Sequence, residues 1–134
     1  VSQSVLDEAV RLFNNHYFWE CHELLEDEWL EEIGDRKRFL QGVIQAAAAF
    51  YHVLNNNVRG FDRLAQEALK KLQIFPDLYE GLELSPLRAS LNEFIFDSQE
   101  IQAQRKENFD ILKIVQLKRV SSVTNSLRIK KDNA

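Results

Sequence analysis

Between Val43 and Leu54 the chain runs Val43, Ile44, Ala46, Ala47, Ala48, Ala49, Phe50, Tyr51, Val53 and Leu54 with few polar interruptions. Wound as a helix, this stretch is apolar nearly all round, and a helix without a broad polar face has to be surrounded by other elements. It therefore predicts a helix from Arg36 to about Asn55 at the centre of a bundle. The remaining elements must be arranged to cover it.

The flanking periodicities supply those elements. Ser4 precedes a run in which Val5, Leu6, Ala9, Leu12 and Phe13 recur at helical spacing, giving a first helix over about 4–14. Asn14-Asn15-His16 is turn chemistry, and a second helix follows over about 17–33, stopped by Gly34. Asp35 is placed to cap the central helix, and Asn57 to cap a fourth over about 58–73, whose apolar face is Phe61, Leu64, Ala65, Ala68, Leu69 and Leu72. Residues 74–84 read as a loop. Ser85-Pro86 opens a fifth helix reaching roughly residue 104. From Ala9 to Leu24 and from Ala49 to Leu64 the rhythm of small, apolar and turn residues repeats, as in tetratricopeptide-like helical hairpins. The expected fold is all-α: five helices in antiparallel hairpins over residues 1–105, then a partly irregular tail over 106–134.

At 134 residues the chain fits one domain. No apolar run approaches the ~18 residues that would span a bilayer, and a single cysteine rules out an internal disulfide framework. The cytoplasm is the expected compartment, or the plastid stroma for a plant protein. A net charge of −4 argues against a nucleic-acid binder. Charge is unevenly spread: ten Asp or Glu against Arg11 alone in residues 1–35, six Lys or Arg against Asp132 in residues 113–134. The basic tail is thus expected either to be a solvated end or to dock on an acidic helix of its own or a neighbouring subunit.

Tyr17 to Trp29 packs two tryptophans, a histidine, the only cysteine and five carboxylates into one helix. At about 100° per residue, Phe18, Leu25 and Trp29 share one side, with His22 beside them and Glu26 at its edge. Glu20, Glu23 and Asp27 turn towards water. Cys21 falls on the Leu25 side as a small buried residue, His16 is an exposed turn residue, and Trp19 is expected to project away from the stripe, over a neighbouring helix or towards a partner. On the central helix Gln41, Gln45 and His52 form a narrow polar stripe. Buried polar groups need partners, so this stripe is expected to face His22 and Glu26.

His22, Glu26 and His52 are accordingly candidate ligands for a divalent metal such as zinc, with Gln41, Gln45 and Trp29 completing a polar cluster. The other reading of the same residues is structural: His22 bonds Glu26 and a group on the central helix, and the cluster only locks two helices in register. No nucleophile triad, paired-cysteine zinc pattern or glycine-rich phosphate loop is present.

The motifs Leu12-Phe13-Asn14, Tyr17-Phe18-Trp19-Glu20-Cys21-His22-Glu23-x-Leu25-Glu26-x-x-Trp29, Phe39-Leu40-Gln41-Gly42-x-Ile44-Gln45-Ala46-Ala47, Tyr51-His52 and Arg59-Gly60 resemble a bacterial and plastid family, the domain of unknown function 309. The resemblance covers about residues 5–75. It implies a small helical bundle and, since some members carry the label "predicted metal-dependent hydrolase", a metal-dependent hydrolase. Against it stands a non-enzymatic interaction module, a homo-oligomer or a partner-binding protein working through Trp19 or the basic tail.

Overall fold

The computed structural model describes residues 3–120. Five helices follow one another, α1 (Gln3–Asn14), α2 (Phe18–Glu31), α3 (Gly34–Leu54), α4 (Val58–Leu72) and α5 (Ser85–Gln102). Consecutive helices pack as adjacent pairs, and α3 lies against both α2 and α4. The fold is all-α, as the apolar girth of α3 requires.

Ten residues of α3 are buried, from Phe39 to Val53, and rings from four other elements close around Phe50. Phe13 and Phe94 meet it edge-on at 5.7 and 5.4 Å between ring centroids, an arrangement that places a positive ring edge on a negative face. Phe18 and Phe61 tilt against it, and Phe109 extends the cluster from beyond α5. Where rings are not used, small residues bring helices close. A β-carbon at Gly42 would stand 2.7 Å from Leu72 Cδ2, so the closest approach of α3 and α4 depends on glycine at that point.

The faint sequence repeat is explicit in the backbone. At the end of α1, His16 N–H donates to Phe13 O and Tyr17 N–H to Leu12 O. Forty residues on, Asn56 donates to Val53 O and Asn57 to His52 O in the same pattern. This is the Schellman termination, which requires one left-handed residue. His16 (φ 63°) and Asn56 (φ 55°) take that position, and Gln104 (φ 61°) repeats it after α5. The Asn15 and Asn55 side chains each reach back four residues, to Arg11 O and Tyr51 O. His16 is half-buried and stacks on Phe18 at 5.1 Å, whereas an exposed turn residue was expected.

Element boundaries correct the sequence reading in three places. α2 ends at Glu31, and Gly34 (φ 66°) opens α3 instead of closing α2. The chain enters α3 through extended Ile33 with no side-chain cap, so Asp35 lies in the first turn, where its carboxylate faces the positive helix end. Asn57 does cap α4, accepting from Gly60 N–H at 2.9 Å. Ser85 is the first residue of α5 and does not cap it.

Residues 74–84, read as a loop, contain a two-residue hairpin, β1 (Leu78–Tyr79) against β2 (Leu82–Glu83). Its turn residues Glu80 (φ 52°) and Gly81 (φ 75°) both adopt positive φ, the geometry that matches strand twist in two-residue loops. After α5 the chain passes through a short helical turn (Ile111–Lys113) and returns across the molecule. Phe109, Ile114 and Leu117 are buried on the way. Asn14 pairs with the backbone of Leu117 in both directions, its amide donating to Leu117 O (2.9 Å) and its carbonyl oxygen accepting from Leu117 N–H (2.7 Å). Arg119 is nearly enclosed, pairing with Asp7 (2.9 Å) while donating to Gln3 Oε1 (2.6 Å) and to Glu80 O. Part of the basic C-terminal stretch thus engages acidic α1, and Arg128, Lys130 and Lys131 lie outside the described residues. Among the described residues no helix is long and apolar enough to cross a membrane.

Candidate functional site

α2 and α3 bring their polar residues together in one place. His22, Glu26 and Trp29 from α2 face Gln41 and Gln45 from α3 across a half-open cavity of about 200 Å³. Ile44, Ala48 and Leu64 supply its apolar wall, the last from α4. Of the α3 stripe expected to face His22 and Glu26, Gln41 and Gln45 line the same cavity as those two residues and His52 does not. Glu20, Glu23 and Asp27 are exposed.

Within the cavity the bonding is incomplete. His22 Nε2 lies 3.3 Å from Glu26 Oε1, an i,i+4 contact on the helix surface. The other ring nitrogen, Nδ1, is buried with no hydrogen-bond partner, as are Trp29 Nε1 and Gln45 Oε1. A buried polar group costs roughly 1–3 kcal/mol where neither protein, ligand nor ordered water answers it. Of the four such side-chain atoms among the described residues, three belong to residues that line this cavity; the fourth, Ser90 Oγ, is on α5.

The aromatic surround is closer than projection suggested. Trp19 does not turn away from the stripe. Its ring stacks on His22 with centroids 4.8 Å apart and planes 23° from parallel, and leans on Tyr51 of α3 at 5.3 Å. Residues three apart share a helix face, and that spacing could have placed Trp19 beside His22, although Trp19 is exposed and does not line the cavity. At the other end Lys37 Nζ sits 4.4 Å from the centre of the Trp29 ring, a cation over its electron-rich face.

His52 is not brought to the cavity. It shares the angular position of Gln45 but stands seven residues further on, about 10 Å along the axis. There its Nδ1 contacts Asn57 Nδ2 at 3.2 Å, in the turn between α3 and α4. Burial, and secondarily the charge of Arg63, hold its pKa below the usual imidazole value. Cys21 is fully buried, and burial pushes its thiol up to about 12, far from a nucleophile's range.

A catalytic zinc centre takes three protein ligands and leaves a position for water. His22 and Glu26 offer two, and among the described residues no group of three or more His, Cys, Asp or Glu side chains is arranged to hold a metal ion. With His52 elsewhere, the donor set does not fit such a centre.

The fold and cavity together define a small all-α domain of consecutive helical hairpins with a polar pocket between its second and third helices. Residues 6–64 match the family described as "Domain of unknown function (DUF309)", so the chain carries a DUF309 domain, and that segment supplies every residue of the pocket. The chain is 36% identical over 83 residues to the uncharacterized protein YpuF of Bacillus subtilis, a match covering 61% of this chain and 48% of that protein. It is 30% identical over 92 residues to an uncharacterized protein of Aquifex aeolicus, covering 68% of this chain and 28% of that protein. The chain thus spans less than half the length of either curated relative.

Proposed function

We propose that this domain binds a small polar molecule in the α2–α3 pocket. The observation that carries the reading is the half-open cavity of about 200 Å³ between α2 and α3, where His22, Glu26, Trp29, Gln41 and Gln45 gather beside an apolar wall. The cavity, at about 200 Å³, is below the roughly 300–1,000 Å³ of pockets for drug-sized molecules, so the ligand is a small metabolite or the terminal group of a larger one.

A metal-dependent hydrolase is the finer reading that His22 beside Glu26 invites. It would need a third ligand that the described histidines, cysteines and carboxylates do not offer. Binding is therefore the reading the geometry supports best.

The test is a ¹⁵N spectrum of the two tryptophan indoles, with the Trp29 resonance assigned by its loss in Trp29→Phe. Mixtures of small polar molecules are expected to move the Trp29 signal saturably, and Gln45→Met to abolish the response. Indifference of Trp29 to every mixture would sink the binding reading. A parallel zinc titration that saturates at one equivalent, and fails in His22→Ala, would favour the metal reading instead.

A further inference from the structure

Charge narrows what the pocket can hold. We infer that it takes a small organic cation, an alkylammonium, an inference that rests on the binding role proposed above. Glu26 brings the cavity its carboxylate, and among the described residues no lysine or arginine lines it. The Glu26 side chain is 51% exposed, so a molecule entering the half-open cavity can reach it. Its contact with His22 Nε2 at 3.3 Å balances that charge only when the ring is protonated.

The wall behind Glu26 has the same sign. α2 carries Glu20, Glu23, Glu26, Asp27, Glu28 and Glu31, and no lysine or arginine in its 14 residues. A cleft with low-dielectric walls focuses the field of such charges. Basic side chains of the neighbouring helices are turned to other carboxylates: Arg36 Nε lies 2.8 Å from Glu80, and Lys71 Nζ 3.5 Å from Glu67. Lys37 does approach, and its ammonium lies over the Trp29 ring at 4.4 Å. A ring that lines the pocket thus already draws a cation from the chain itself.

A carboxylate or phosphate brought into the cavity meets Glu26 and the other acids of α2 as like charges. A neutral alcohol or amide gains nothing from them, and neither does a water molecule. An ammonium is attracted by the carboxylate and by the indole face together. The apolar wall of Ile44, Ala48 and Leu64 suits a short hydrocarbon behind the charged end.

Isobutylammonium, isobutanol and isobutyrate, close in shape and different in charge, separate these cases. Each is titrated against the full chain with the Trp29 indole resonance as readout, at a fixed ionic strength of about 0.15 M. At about pH 8 an alkylammonium keeps its proton and an ordinary imidazole is neutral. Isobutylammonium is expected to shift the resonance saturably and to bind at least ~10-fold more tightly than either of the others. Glu26→Gln, at a half-exposed position, is expected to keep the melting temperature and to bring isobutylammonium down to the level of isobutanol. Isobutanol or isobutyrate binding as well or better would overturn the cation inference while leaving a binding pocket in place. So would an ammonium preference undiminished in Glu26→Gln, or a linear drift without saturation, which marks loose association with the acidic surface. If no small molecule shifts Trp29, both readings fall together.

Discussion

α2 turns the Cys21 side chain inward between Phe18 and Leu25, and burial there raises its thiol to about 12. At neutral pH almost none of it is thiolate, the form that reacts. An aromatic disulfide reagent is therefore expected to label native protein only as fast as the fold opens, and denatured protein at once. Prompt stoichiometric labelling of the native state would contradict the burial. Residue-level placement from sequence succeeded where angle alone decides the outcome. His22, Glu26, Trp29, Gln41 and Gln45 were all found on the facing stripes because projection around α2 and α3 is enough to place them. It failed for His52, since angle carries no height and seven residues lift a side chain about 10 Å past its target. It failed differently for Trp19, where the i,i+3 relation to His22 was present in the sequence but assigned to the wrong side. The unanswered state of Nδ1, Nε1 and Oε1 was not legible, because it depends on how closely two helices approach.

At the scale of elements, the approach of α3 to α4 turns on Gly42. Replacing it with alanine gains about 1 kcal/mol in helix propensity. The added carbon would stand 2.7 and 2.8 Å from Cδ2 and Cγ of fully buried Leu72, which must shift to admit it, and overpacking of that kind costs about 1–3 kcal/mol. Gly42→Ala is therefore expected to lower the urea midpoint with an unchanged slope; a raised midpoint would show that the helices have slack at this crossing. Five helices were readable because each carries ten or more residues of periodic pattern. The β1–β2 hairpin was not, because two-residue strands have no period to detect. Its stability comes from distant residues: Val120 N–H donates to Gly81 O, Glu83 N–H to Lys118 O, and Arg119 to Glu80 O. The turns between helices were legible as turns, yet which residue adopts positive φ was not, and His16 holds a position that Asn14 or Asn15 was better suited to fill.

For the whole molecule, residues 106–120 decide whether the five helices stand without help. They add Phe109, Ile114 and Leu117 to the core and hold α1 through Asn14 and Asp7. Burial of each such side chain contributes roughly 1.5–3 kcal/mol, as an upper estimate. A chain ending at residue 105 is therefore expected to melt well below the full chain, or without a cooperative transition. Equal melting temperatures would show that the helices alone are the folding unit. The Arg119 contacts have a further consequence for the newborn protein. Asp7 is made early and waits through 112 residues of synthesis for its partner. Closing so long a loop is entropically slow, though each doubling of its length adds only about 0.6 kcal/mol. α2 to α4 can pair as they leave the ribosome, whereas the first helix gains its last fastening only when the returning segment has been released.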